Sequence, residues 1–205
     1  MKECWIFGGA PITDYSCINV SENTVIIAAD GGYDHLKRLN ICPNYIIGDF
    51  DSYKGDLPDN CEIITVPVRK DDTDMMLAVK KALEIGCVKI YIGGALGGRL
   101  DHSIANIQTL EYISDNGGYG VIIDSDNIVG IQDIGTVIYE KMDGWYFSVF
   151  SLTEKSELSL SGTSFDVNNC ILTRGFPLGV SNEIIADNAE VTVFSGKLLI
   201  IRSRK

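Results

Sequence analysis

Seven aspartates stand at or near the glycine-marked ends of short apolar runs: Asp30, Asp49, Asp51, Asp71, Asp72, Asp74 and Asp101. Carboxylates a few ångströms apart in a partly buried cleft repel one another strongly. Such a group is stable only when cations neutralise it. Hard oxygen ligands favour Mg2+, which takes a few carboxylates, waters and phosphate oxygens. Gly48-Asp49-Phe50-Asp51-Ser52 is the sharpest unit. Asp49 and Asp51 are two apart, so extended backbone points both to one side, as half a shell for a metal ion. Aspartates also cap turns. The place of this pair directly behind an apolar run favours metal binding.

Two further segments carry charge where a phosphate would want it. Arg69-Lys70-Asp71-Asp72-Thr73-Asp74 opens a helical pattern. Capping by Asp71 or Asp72 accounts for one or two of these acids. The whole cluster fits better a helix start that offers Asp74 to a metal and Lys70 or backbone N–H groups to a phosphate. Gly93-Gly94-Ala95-Leu96-Gly97-Gly98-Arg99-Leu100-Asp101-His102 has four glycines in six residues, which lets backbone N–H groups approach an anion. The order is not that of a P-loop. Arg99 could hold a phosphate through two hydrogen bonds, while Asp101 either meets a cationic substrate or caps the helix. His102 and His35 are the two histidines. Asp30-Gly31-Gly32-Tyr33 repeats the strand–acid–glycine theme, with Asp30 as site residue or turn former. In the tail, Thr173 to Glu183 is a polar, turn-rich stretch. No G-x-S-x-G hydrolase elbow occurs in the chain.

The elements that must position these residues are legible from the apolar pattern. Trp5 to Phe7, Thr24 to Ala29, Tyr45 to Ile47 and Val88 to Ile92 are short, lack polar alternation and are followed closely by glycine. Strands covered on both faces of a parallel sheet read this way. Met75 to Ile85, stopped by Gly86, and the stripe Ile104, Ile107, Leu110 and Ile113 predict two helices. Residues 1–125 are therefore expected to form an α/β domain with a doubly wound, mostly parallel sheet. Residues 126–205 lack helical stripes and hold short runs split by Gly, Asp and Asn turns. A smaller antiparallel β-sandwich is expected there, with Val191 to Phe194 and Leu198 to Ile201 as a hairpin about Ser195-Gly196-Lys197.

Composition narrows the classes. The 205 residues include 17 Lys+Arg and 28 Asp+Glu, for a net charge of −11. That balance argues against a nucleic-acid binder, which needs a basic face, and equally against a polybasic membrane-surface protein. No apolar run approaches the roughly 18 residues of a membrane span, and the first residues lack a signal-peptide pattern. Six scattered cysteines form no C-x-x-C pair and read as reduced, mostly buried thiols of a cytoplasmic protein.

Taken together, Asp30-Gly31-Gly32, Gly48-Asp49-Phe50-Asp51-Ser52, Asp71-Asp72-Thr73-Asp74 and Gly94-x-x-Gly97-Gly98-Arg99-x-Asp101-His102 resemble thiamine pyrophosphokinase. Ser181-Asn182-Glu183 fits the bacterial branch. The resemblance implies an ATP-binding α/β domain, a thiamine-binding β-sandwich and a homodimer with its sites at the subunit interface. It implies transfer of a diphosphoryl group from ATP to the hydroxyethyl arm of thiamine, giving thiamine diphosphate and AMP. By that resemblance Asp49, Asp51 and Asp74 would hold Mg2+, and Lys70, Thr73 and Arg99 would lie along the triphosphate. Asp30, Gly31, Asp101 and His102 would lie near the nucleotide or thiamine. Ser181 and Asn182 would contact thiamine, and Asp71 or Asp101 would orient the attacking hydroxyl. Two other readings compete. A D-x-D glycosyltransferase shares Asp49 and Asp51 but gives no reason for the other motifs. A non-catalytic thiamine- or nucleotide-binding module has no need of three convergent carboxylates.

Overall fold

Six short strands rich in Ile, Val and Ala form a parallel sheet in residues 1–125: β1 (Lys2–Phe7), β2 (Val25–Ala29), β3 (Tyr45–Gly48), β4 (Glu62–Thr65), β5 (Cys87–Gly93) and β6 (Tyr119–Ile123). The computed structural model describes residues 2–49, 58–67, 69 and 71–205. The strand order is β6-β5-β1-β2-β3-β4, every neighbouring pair parallel. From β1 the chain steps outward through β2, β3 and β4, then returns to β5 and β6 on the other side. β1 and β5 thus flank the topological switch point, where open α/β sheets hold their ligands.

Helices α1 (Tyr33–Leu39), α2 (Asp74–Glu84) and α3 (Leu100–Asp115) cover the sheet. Leu36 of α1 packs with Trp5, Phe7, Ile26, Ala28 and Ile46. Strand alternation leaves Cys4, Ile6, Ile27 and Ile47 for the opposite face; these are also buried, and α2 and α3 supply the cover. The α3 stripe differs from the expected one. Ile104 is half exposed, whereas Asn106 and Thr109 are buried beside Leu110 and Ile113. Both polar side chains can sit inside because each donates to a carbonyl, Asn106 Nδ2 to Ala95 at 2.7 Å and Thr109 Oγ1 to Ala105 at 2.9 Å.

Residues 126–205 form a second compact unit. It holds β7 (Asn127–Gln132), β8 (Gly135–Glu140), β9 (Trp145–Ser151), β10 (Lys155–Ser161), β11 (Val167–Thr173), β12 (Gly179–Asn182), β13 (Asn188–Ser195) and β14 (Leu198–Arg204). Antiparallel layers β12-β9-β14-β7 and β11-β10-β13-β8 enclose one core, which includes Phe147, Leu158, Val191, Val193, Leu198 and Ile200. This is the expected sandwich. The expected hairpin is absent. β13 pairs with β10 and β8, while β14 pairs with β7 and β9, so Ser195-Gly196-Lys197 carries the chain from one layer to the other. Ser156 fixes that corner by accepting from Lys197 N at 3.2 Å and donating to Lys197 O at 3.0 Å.

None of the six cysteines is in a disulfide, but only Cys4 and Cys87, on central strands, are buried. Cys17, Cys61 and Cys170 are half-buried and Cys42 is exposed, fewer inside than the sequence suggests. Among the described residues no helix is long and apolar enough to cross a membrane.

Candidate active site

The carboxyl ends of β1, β2 and β5 open into a cavity of about 390 Å3. Its walls are Gly8 to Pro11 behind β1, Ala29 and Asp30 at the end of β2, and Thr73 to Met75 at the start of α2. The loop behind β5 and two α3 side chains, His102 and Asn106, complete it. The loops meet because glycine lets backbone touch backbone. A Cβ on Gly8 would stand 2.6 Å from Gly94 O, and one on Gly94, whose φ is +62°, would stand 2.3 Å from Gly8 O. Hydrogen bonds tie the same loops together, Gly8 N to Gly93 O at 2.8 Å and Ala10 N to Gly94 O at 2.9 Å.

Of the residues singled out in the sequence, Asp30, Thr73, Asp74, Arg99 and His102 line this one cavity. Asp30 sits at φ +47°, a left-handed conformation that few non-glycine residues adopt, and its Oδ1 is buried. Gly31 abuts Gly9, its Cα at the distance of an ordinary contact from a Cβ built there. Asp49 is half-buried and follows Gly48, where a Cβ would come within 3.1 Å of Asp30 Cα. Asp51 and Lys70 lie outside the described residues.

The α2 start is capped by Thr73, not by Asp71 or Asp72. Its Oγ1 accepts from Met76 N at 3.1 Å, which leaves the hydroxyl proton available to a ligand. Asp72 turns instead to Lys80 Nζ at 2.6 Å, and Asp71 is exposed. At the α3 start, Asp101 holds Arg99 through two contacts, Oδ2 to Nη2 at 2.6 Å and Oδ1 to Nε at 3.2 Å, and accepts from His102 N at 3.0 Å. The Arg99 guanidinium, with the His102 N–H, keeps the Asp101 carboxyl below its usual range. Asp101 is therefore ionised at neutral pH and a weak base.

Asn106 and Ser103 were not singled out in the sequence, yet they shape the β5 loop. Asn106 holds Ala95 O, and Ser103 Oγ accepts from Gly97 N at 3.2 Å. The one signal available was a polar residue, Asn106, among the apolar positions of α3.

Ser181 and Asn182 belong to the second unit. Ser181 is exposed at φ +60°, its N–H donating to Ser148 Oγ at 3.0 Å. Asn182 is buried, and its amide is committed locally: Oδ1 accepts from Phe165 N and Glu183 N, while Nδ2 donates to Thr163 Oγ1 and Phe165 O. The ring of Phe176 is exposed.

Residues 19–119 match the model of the thiamin pyrophosphokinase catalytic domain, and residues 135–200 match that of the thiamin pyrophosphokinase vitamin B1 binding domain. The chain belongs to the thiamine pyrophosphokinase family. Thiamine pyrophosphokinase of Bacillus subtilis is 32% identical over 216 residues, with 99% of each chain covered. The crystal structure of Bacillus subtilis thiamine pyrophosphokinase superposes with a TM-score of 0.88 at 30% identity and full coverage of both chains. A thiamin pyrophosphokinase family protein from Enterococcus faecalis gives 0.86 at 26%, again over the whole of both. Membership makes the protein an enzyme, a thiamine diphosphokinase that forms thiamine diphosphate. It sets aside the glycosyltransferase and the non-catalytic binding module.

Proposed function

We propose that this thiamine pyrophosphokinase takes the triphosphate of ATP in the cavity behind β1, β2 and β5 and releases AMP. The observation that carries this reading is the convergence of two glycine-rich backbone loops with Asp30, Asp74 and Arg99 on one cavity at the switch point. The hydroxyl oxygen of thiamine bonds to the β-phosphorus. The bond from that phosphorus to the oxygen bridging the α-phosphorus breaks, and the bridging oxygen leaves on AMP. Such transfer needs mainly positioning and neutralisation of charge. The hydroxyl proton passes to a carboxylate or water. Asp101, held ionised by Arg99, suits orientation better than proton abstraction, and Asp71 is the second carboxylate for that role.

The donor set fits Mg2+. Asp30 and Asp74 line the cavity and Asp49 follows the glycine that abuts Asp30, all of them hard oxygen donors. Among the described residues no three metal-binding side chains form a complete cage. Mg2+ does not require one, since it keeps waters and takes substrate phosphate oxygens. Asp49, Asp51 and Asp74 would hold it, and when bound it supplies charge neutralisation at the phosphates. Lys70, Thr73 and Arg99 lie along the triphosphate in this reading, with Gly31 and His102 beside the nucleotide. Ser181 supplies a thiamine contact and Asn182 fixes the loop that presents it. A cytoplasmic homodimer with sites at the subunit interface completes the reading.

Incubation with ATP, thiamine and Mg2+ should yield AMP and thiamine diphosphate in equal amounts, and a chelator should stop it. Formation of ADP without AMP would overturn the diphosphoryl step. Arg99→Ala should raise the KM for ATP by about ten- to a hundredfold, the loss of a charge-assisted contact of roughly 1.5–3 kcal/mol. The KM for thiamine should move far less, and an unchanged KM for ATP would remove Arg99 from the phosphates.

A further inference from the structure

We propose that His35, outside the cavity, is a positioning residue for the donor-binding loop Gly8–Pro11; this rests on reading the cavity as the ATP site. His35 lies on α1 and is 7% exposed. Its Nε2 is 2.9 Å from Ala10 O and its Nδ1 is 2.6 Å from the Tyr15 hydroxyl. A carbonyl only accepts, so Nε2 carries the proton and Nδ1 accepts from Tyr15. One neutral tautomer satisfies both contacts. Burial lowers the ring's pKa, reinforced by Arg38 and opposed by the Ala10 hydrogen bond and Asp34, so the neutral form prevails at neutral pH. Both nitrogens are engaged within the protein, and the ring is not among the residues that line the cavity.

Its effect is on the loop. Gly8 and Gly9 have no side chains to anchor them, and Pro11 has no N–H to donate. Beyond the bond from Gly8 N to Gly93 O, Ala10 is the loop's second point of attachment. Its N–H is held by Gly94 O of the β5 loop and its C=O by His35. Tyr15, downstream on the same stretch, presses the ring into place. The loop that lines the cavity is thus ordered before any ligand arrives.

The test uses a non-hydrolysable ATP analogue in titration calorimetry, with KM and kcat for ATP and thiamine, on the wild type and three variants. His35→Leu should weaken analogue binding and raise the KM for ATP by roughly tenfold, as expected for one buried hydrogen bond. The kcat and the KM for thiamine should stay within about twofold, a split that a general loss of structure would not give. His35→Gln, whose amide nitrogen can replace Nε2, should restore most of the affinity. Tyr15→Phe should fall between. A folded His35→Leu protein that binds the analogue like the wild type would overturn the proposal, as would a Gln variant no better than Leu. If His35→Leu fails to fold, Gln and Tyr15→Phe decide it, and wild-type affinity in Tyr15→Phe counts against the proposal. A wild type that does not bind the analogue would instead overturn the reading of the cavity, and this proposal with it.

Discussion

Asp74→Asn should lower kcat by a hundredfold or more while the protein melts within a few degrees of the wild type. Asparagine keeps the shape of the side chain and removes only its charge. The cost to folding is the loss of an acid in the first turn of α2, where the helix dipole favours negative charge by about 0.3–1 kcal/mol. At 205 residues each kcal/mol moves the midpoint by roughly 2–4 °C. On the Mg2+ reading proposed above the cost to catalysis is larger, because the ion would supply several kcal/mol of charge neutralisation, and 3 kcal/mol alone is on the order of a 150-fold change in rate. The catalytic part of this reasoning applies equally to Asp49→Asn and Asp51→Asn. A raised Mg2+ requirement in steady-state kinetics would accompany the loss. Near-normal turnover at ordinary Mg2+ would take Asp74 out of the site.

Gly32→Ala should be the most damaging small substitution in the α/β unit. The difficulty is space, not backbone conformation, since Gly32 has φ −61° and ψ −21°, where alanine is at ease. A Cβ there would stand 1.8 Å from Phe7 O and 2.4 Å from Phe7 C, at the last residue of β1. Neither atom is the end of a flexible side chain, so the Asp30–Gly32 turn or the β1 end must move. Overpacking of this kind costs on the order of 3 kcal/mol or more, a fall in melting midpoint of roughly 6–12 °C. Gly86→Ala is the contrast. Its φ is +83° but the space is open, so only the conformational penalty of about 1 kcal/mol applies. Thermal melts of the two variants measure the difference, and near-equal melting would mean that β1 and the turn after β2 do not touch as described.

The sequence exposes central strands well and short amphiphilic pieces poorly. β2, β3 and the second half of β1 are buried on both faces, so they appear as apolar runs with glycine close behind, whereas β5 shows through despite Lys89 and an exposed Val88. α1 has seven residues, no side-chain cap and three charged groups, and its register is set by Leu36 packing on the sheet. β4 is half exposed at the sheet edge and has little apolar pattern to detect. The β13–β14 corner misleads because a glycine turn between two apolar runs looks alike whether the strands pair or part; the pairing is decided by β10 and β9, far away in the chain. In the site, Asp30, Thr73, Asp74, Arg99 and His102 were legible because loops at carboxyl strand ends must converge. Asn106, Ser103 and His35 were not, because each works through a backbone group of another segment, and no residue type signals which backbone it will meet.

Among the described residues strand β14 is the last in chain order, yet it lies between β7 and β9, bonded along its length to both. A nascent polypeptide on the ribosome would therefore hold β7 and β9 apart, with unmet N–H and C=O groups, until residues 198–204 leave the exit tunnel. Loss of residues 198–204 takes out the middle of a layer instead of trimming its margin. The pairings of β1 to β6 with one another are all made by residues 2–123, so those bonds can close earlier in synthesis.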